Sequence, residues 1–238
     1  GTFKNGLIVL DKNGAEKINF RKNPSDSNSL PNNDVRCFYQ CKNNTIWVGT
    51  QQGIAVVNPQ SLKIDTVIHL FNNPGVRVIK EDNEGLIWIG TYGRGVVTFN
   101  PSTRKLNYEP TPFNLSIVYD IFINQNDVWI ATHGDGVFFY AKDTRAKFVY
   151  SVDAGMPTNF IRSVLMDKYG FVWAGTSKGI SKINPQTREI QNFNSQDGLQ
   201  SQGFYERSTY ISPLADGLMY FGGYFGLNVF NPKDVTKN

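Results

Sequence analysis

One five-residue phrase, Ile87-Trp88-Ile89-Gly90-Thr91, is written repeatedly along this chain. It returns as Ile46-Trp47-Val48-Gly49-Thr50, Val128-Trp129-Ile130-Ala131-Thr132 and Val172-Trp173-Ala174-Gly175-Thr176, with a worn copy at Met219-Tyr220-Phe221-Gly222-Gly223. All four tryptophans fall on this phase, and successive copies lie 41, 41, 44 and 47 residues apart. A period just above 40 fits one four-stranded antiparallel unit, the blade of a propeller.

Each copy leads into a second repeated pattern: a short loop, a glycine, an apolar run and a turn, as in Gly95-Val96-Val97-Thr98-Phe99-Asn100-Pro101 and Gly179-Ile180-Ser181-Lys182-Ile183-Asn184-Pro185. In a pleated strand Ile87 and Ile89 point opposite to Trp88, so both faces are apolar. That is expected of a sheet packed between two neighbours, with Gly90 and its equivalents leaving room where sheets converge.

These signals predict an all-β chain, a β-propeller of four-stranded antiparallel blades, read as one region over residues 1–238. Residues 1–20 read as the outer half of a blade. Whole blades follow at about 35–71, 76–109, 117–150 and 160–193, and a terminal unit at 204–238 offers three strands. The count is five to six units. It is expected to be part of a larger propeller, with an irregularly closed six-bladed ring as the rival arrangement.

At 238 residues the chain is long enough for a full core, and 40% hydrophobic with 18% charged residues describes a folded protein. A net charge of +4 permits an anionic ligand without demanding nucleic acid. No apolar run reaches membrane-spanning length. Cys37 and Cys41, four apart on an extended segment, would lie roughly 13 Å apart, too far for a disulfide, so free buried thiols are expected. With two histidines in the chain, no metal site, cofactor or catalytic residue is called.

The repeat resembles the two-component-regulator propeller pattern, Asp-x-x-Gly-x-Φ-Trp-Φ-Gly-Thr-x-x-Gly-Φ with Φ apolar. Asp82 to Val96 matches it best and Asp167 to Ile180 nearly as well. The first unit lacks the turn Asp and Gly, and the third has Ala131 for Gly. The stretch from Gly198 to Pro232 is similar to that family's closing blade. The resemblance implies a periplasmic sensor region of a hybrid two-component histidine kinase, with an immunoglobulin-like domain and a membrane-linked kinase next in the parent protein. It also implies response to glycan fragments. No kinase motif lies in these residues.

Two repeat positions are candidates for ligand contact. Arg36, Arg77 and Arg162 lie eleven residues before their tryptophans, with Tyr119 in the equivalent place and Arg207 near it in the last unit. On the innermost strands, these guanidinium groups are expected to face the channel mouth. Their planar fork suits a carboxylate or sulfate, as on an acidic or sulfated oligosaccharide. The structural alternative is pairing with acids such as Asp34 or Asp120. The second position follows the Gly-Thr and varies freely: Phe3, Gln51, Tyr92, His133, Ser177, Tyr224. Tyr92, His133 and Tyr224 are expected to stack on sugar rings, with Arg94 and Asp135 in the same loops.

The leading expectation is a non-catalytic ligand-sensing propeller that signals through packing against a partner domain or a dimer mate. One alternative is a protein-interaction scaffold, which a large exposed apolar patch would favour. Another is a propeller lyase or glycan-cleaving enzyme, which would require His133 with Asp135 or Glu206 as an acid/base set.

Overall fold

A computed structural model describes residues 1–108, 117–214 and 217–235. Residue 109, the expected end of the blade read at 76–109, lies outside these, as do residues 215–216 and 236–238 of the expected terminal blade. The chain packs as two compact units, residues 1–118 and 119–238. Among the described residues no helix is long and apolar enough to cross a membrane.

In the first unit, β1 (Leu7–Leu10) and β2 (Glu16–Phe20) form a two-stranded sheet. A four-stranded sheet follows: β3 (Val35–Gln40), β4 (Ile46–Thr50), β5 (Gly53–Asn58) and β6 (Lys63–Ile68). The next holds β7 (Gly75–Glu81), β8 (Ile87–Tyr92), β9 (Val96–Asn100) and β10 (Lys105–Tyr108). Alternation along one strand sends side chains to two different cores. In β4, Trp47 joins a cluster with Cys37, Ile54, Val76, Ile79 and Ile89. Its neighbour Val48 joins Leu30, Ala55, Val57 and Ile64, which pack on Leu7 and Phe20.

The second unit contains β11 (Val118–Asn124), whose first residue lies at the boundary, with β12 (Asp127–Thr132), β13 (Val137–Ala141) and β14 (Lys147–Tyr150). Then come β15 (Ile161–Met166), β16 (Val172–Thr176), β17 (Gly179–Ile183) and β18 (Ile190–Phe193). Three strands end it, β19 (Phe204–Ile211), β20 (Met219–Gly223) and β21 (Gly226–Phe230). The alternation recurs in β16: Val172 and Ala174 pack with Trp129, Ile161 and Val164, and Trp173 with Leu165, Phe204 and Phe221. The sheets are thus apolar on both faces, each pairing antiparallel strands in chain order.

The glycine of the repeated phrase sits where no Cβ fits. One added at Gly49 would collide with Cys37 Sγ and lie 2.7 Å from Val76 in the next sheet, and one at Gly90 would lie 2.6 Å from Val118. The threonine after it pins the adjoining loop. Thr50, Thr91, Thr132 and Thr176 each donate a hydroxyl hydrogen bond to a glycine carbonyl three or four residues on. Each hydroxyl also accepts from a backbone N–H inside the loop, that of Gln52, Arg94, Asp135 or Lys178. The motif therefore fixes both sheet spacing and loop shape, leaving the loop side chains free to vary. Cys37 and Cys41 are both buried free thiols.

Candidate functional site

The arginines before the tryptophans are placed by a defect the residue spacing does not reveal. In β3–β4, Val35 pairs with Thr50 and Cys37 with Gly49, so Arg36 is the extra residue of a bulge. Arg77 is skipped in the same way between Val76 and Val78, and Arg162 between Ile161 and Ser163. A bulge bends the strand and re-aims the extra side chain, and bulges cluster beside functional sites. In β19 the irregularity is wider. Phe204 pairs with Gly223 and Thr209 with Phe221, so residues 205–208 stand opposite Gly222 alone. Arg207, inside it, has a φ of 53°. The Nε atoms of Arg36, Arg77, Arg162 and Arg207 are all shielded from solvent.

In the first unit the arginines are already partnered. Arg36 pairs with Asp34 at 2.5 Å and lies 5.3 Å over the Phe3 ring. Arg77 lies 5.1 Å over Tyr92, an exposed ring that bridges in the strand sense to Ile117. Arg94 turns to the exposed Phe71, 5.0 Å away.

The second unit brings three of the expected residues into one cluster. The Arg162 guanidinium lies 5.2 Å over the buried Tyr119 ring. Tyr119 Oη sits 3.0 Å from His133 Nδ1, a hydrogen bond open to either imidazole tautomer. His133 meets the exposed Phe160 edge-on, with ring centroids 4.8 Å apart, and the two residues pair as an isolated bridge. Glu206 faces Arg162 at 3.7 Å, an ion pair too long for a hydrogen bond. Burial pushes the His133 pKa below its ordinary value, and the Arg162 charge adds to this; Glu206 and Asp135 pull the other way. His133 is thus a neutral imidazole near pH 7, a hydrogen-bonding platform rather than a second cation. Asp135 is exposed in the same loop. Tyr224 lies edge-on to Tyr205 at 4.8 Å, both exposed.

The Asp120 carboxylate accepts Ile121 N and Val164 N, tying β11 to β15. Phe160 and Tyr205 were not singled out by spacing. Both stand two residues before an arginine, at a place otherwise held by Asp34, Gly75 and Ile117; that variability was the available signal. None of the cluster lines the cleft of about 430 Å³ bounded by Trp173, Phe193, Leu199, Leu227 and Phe230. Among the described residues no group of three or more His, Cys, Asp or Glu is placed to hold a metal.

The cluster supplies a cationic fork stacked on one ring, a neutral imidazole and an exposed aromatic edge. Together these can hold an anionic group beside a flat apolar or hydroxylated face.

The two-component regulator propeller repeat matches residues 29–52, 69–93 and 155–178. Histidine kinase P4 of Formosa agariphila is 24% identical over 255 aligned residues, covering 81% of this chain and 18% of that protein. The solved extracellular domain assigned to a hybrid two-component system of B. thetaiotaomicron is 27% identical with a TM-score of 0.78. That match covers 98% of this chain and 32% of the neighbour. A second extracellular domain from the same organism, assigned to a one-component system, shares the fold at 21% identity and a TM-score of 0.70, over 99% of this chain and 40% of that one. The chain therefore spans about a fifth of its curated relative and a third of the first solved one.

Proposed function

Because this chain carries the repeats of the two-component regulator propeller family, we propose that it is the ligand-sensing part of a hybrid two-component histidine kinase. In this reading it is exported to the periplasm and binds an acidic or sulfated glycan fragment without turning it over. The observation that carries the reading is the state of Arg162. Its guanidinium stacks on Tyr119 and faces Glu206 loosely, and it donates no hydrogen bond to a described residue. Arginine stacked on the ring that hydrogen-bonds His133, with its N–H edges so lightly used, suits recognition of a carboxylate or sulfate. Binding would alter packing against a following immunoglobulin-like domain or a dimer mate, and so the activity of a membrane-linked kinase. Such a change requires differential affinity for two receptor states.

The test is a thermal-shift screen against acidic, sulfated and neutral oligosaccharides, since a specific binder raises the melting temperature by mass action. A shift with an acidic member, lost in Arg162→Ala, supports the reading. No shift with any acidic or sulfated member overturns it.

A second reading, an interaction scaffold, has one observation in its favour. Along β21 and its entry turn, Phe225, Leu227 and Val229 are 81%, 50% and 47% exposed. A row of apolar side chains on a sheet edge is a surface for strand addition. Loss of partner capture in Leu227→Lys, with no response to any sugar, would favour it.

A further inference from the structure

We infer that Glu206 is a built-in competitor that occupies the Arg162 fork in the unliganded protein and is displaced by the acid group of the ligand. The inference rests on the acidic-glycan reading of this site. A carboxylate meant only to neutralise an arginine would be expected to close on it bidentately, with N–O distances near 2.8 Å. Here the pair stands at 3.7 Å, the two side chains retaining 18% and 30% of their exposure. The contact joins β15 to β19, from two different sheets, and each partner is delivered by an irregularity. Arg162 is the extra residue of the bulge opposite Gly175 and Thr176. Glu206 lies in the four-residue bulge opposite Gly222.

The ring faces sort the same way. One face of the guanidinium is taken by Tyr119, which leaves its N–H edges as the binding surface. Glu206 reaches those edges at ion-pair distance, so a ligand carboxylate or sulfate must take the same place. Phe160 borders the cluster with an exposed ring against His133, but carries no charge to compete for the fork. Glu206 thereby sets a threshold. A neutral sugar gives Arg162 nothing that Glu206 does not already give. An anion that also stacks on the exposed ring gains more than the loose, half-buried ion pair it replaces.

The experiment is isothermal titration of trigalacturonate, a sulfated carrageenan tetrasaccharide and cellotriose into wild type, Glu206→Gln, Glu206→Asp and Arg162→Lys. Glu189→Gln, an exposed change of equal charge on an outer turn, is the control for bulk electrostatics. The expected result is tighter binding of one acidic probe in Glu206→Gln, by about 2–5-fold. Glu206→Asp, whose shorter side chain withdraws the carboxylate, shifts in the same direction. Glu189→Gln leaves affinity unchanged, Arg162→Lys weakens it, and cellotriose does not respond. Binding in wild type that is unchanged or weaker in both Glu206 variants overturns the competitor role alone, and so does equal tightening in Glu189→Gln. No binding of either acidic probe to wild type or Glu206→Gln overturns the acidic-glycan reading, and the competitor role with it.

Discussion

Asp167 Oδ2 accepts the indole N–H of Trp173 at 2.7 Å, while Oδ1 of the same carboxylate accepts Tyr169 N and Phe171 N. Asp82 holds Trp88, Glu84 and Leu86 in the same way. This is the physical content of the Asp-x-x-Gly-x-Φ-Trp pattern: one buried carboxylate closes the hairpin turn and satisfies the tryptophan behind it. Asp167→Ala should lower unfolding free energy by about 2–4 kcal/mol in denaturant titrations, since it orphans a buried donor and loosens the turn. The repeat that holds Trp129 has no such aspartate, and Trp129 Nε1 is buried with no hydrogen-bond partner among the described residues. Trp129→Phe should therefore cost less than Trp173→Phe in the same assay.

Gly90 lies between Val78 and Val118, and a Cβ there would approach their methyls to 2.5 and 2.6 Å. Valine is stiff at χ1 and cannot turn away. Gly90→Ala should destabilise by about 1–3 kcal/mol through overpacking. At Gly175 the nearest atom is the Ser163 hydroxyl, at 2.6 Å, which can rotate, so Gly175→Ala should be milder. Thermal melts of the two variants decide the order.

His133 has a folded pKa below its ordinary 6.5, from burial first and from the Arg162 charge second. Between the folded and unfolded values the unfolded chain holds the extra proton. Stability should thus rise with pH through that window and be lost as pH falls through it. NMR titration of His133 should place its midpoint below 6.5, and Arg162→Gln should move it upward. A midpoint unmoved by Arg162→Gln would contradict the electrostatic account.

The Cys41 thiol is pushed up to about 12, by burial first and by the nearby Glu81 carboxylate second. The thiolate is the reactive form. Native protein at pH 8 should react with a thiol reagent at this site only as fast as it opens, and Glu81→Gln should lower the thiol pKa. Rapid labelling of Cys41 in folded protein would contradict the burial seen here.

The range of each interaction decides how much of this was legible beforehand. Strand identity, the two-faced apolar pattern and the glycine spacing all rest on period-two alternation and a phrase repeated within about 40 residues, so the sequence alone determined the blade architecture. It also marked Arg77, Arg162, Tyr119 and His133 as positions to watch, because they share phases of the repeat. Composition and spacing do not reveal that Arg36, Arg77 and Arg162 are bulge residues, since a one-residue slip in pairing leaves no local mark. Nor do they show that Arg162 meets Glu206 and Tyr119 while Arg77 meets Tyr92. Those contacts join residues 44 and 43 positions apart in one case and 15 in the other. Only the tertiary structure decided them, because bulge geometry and the packing of one sheet against the next set where a long, flexible side chain ends.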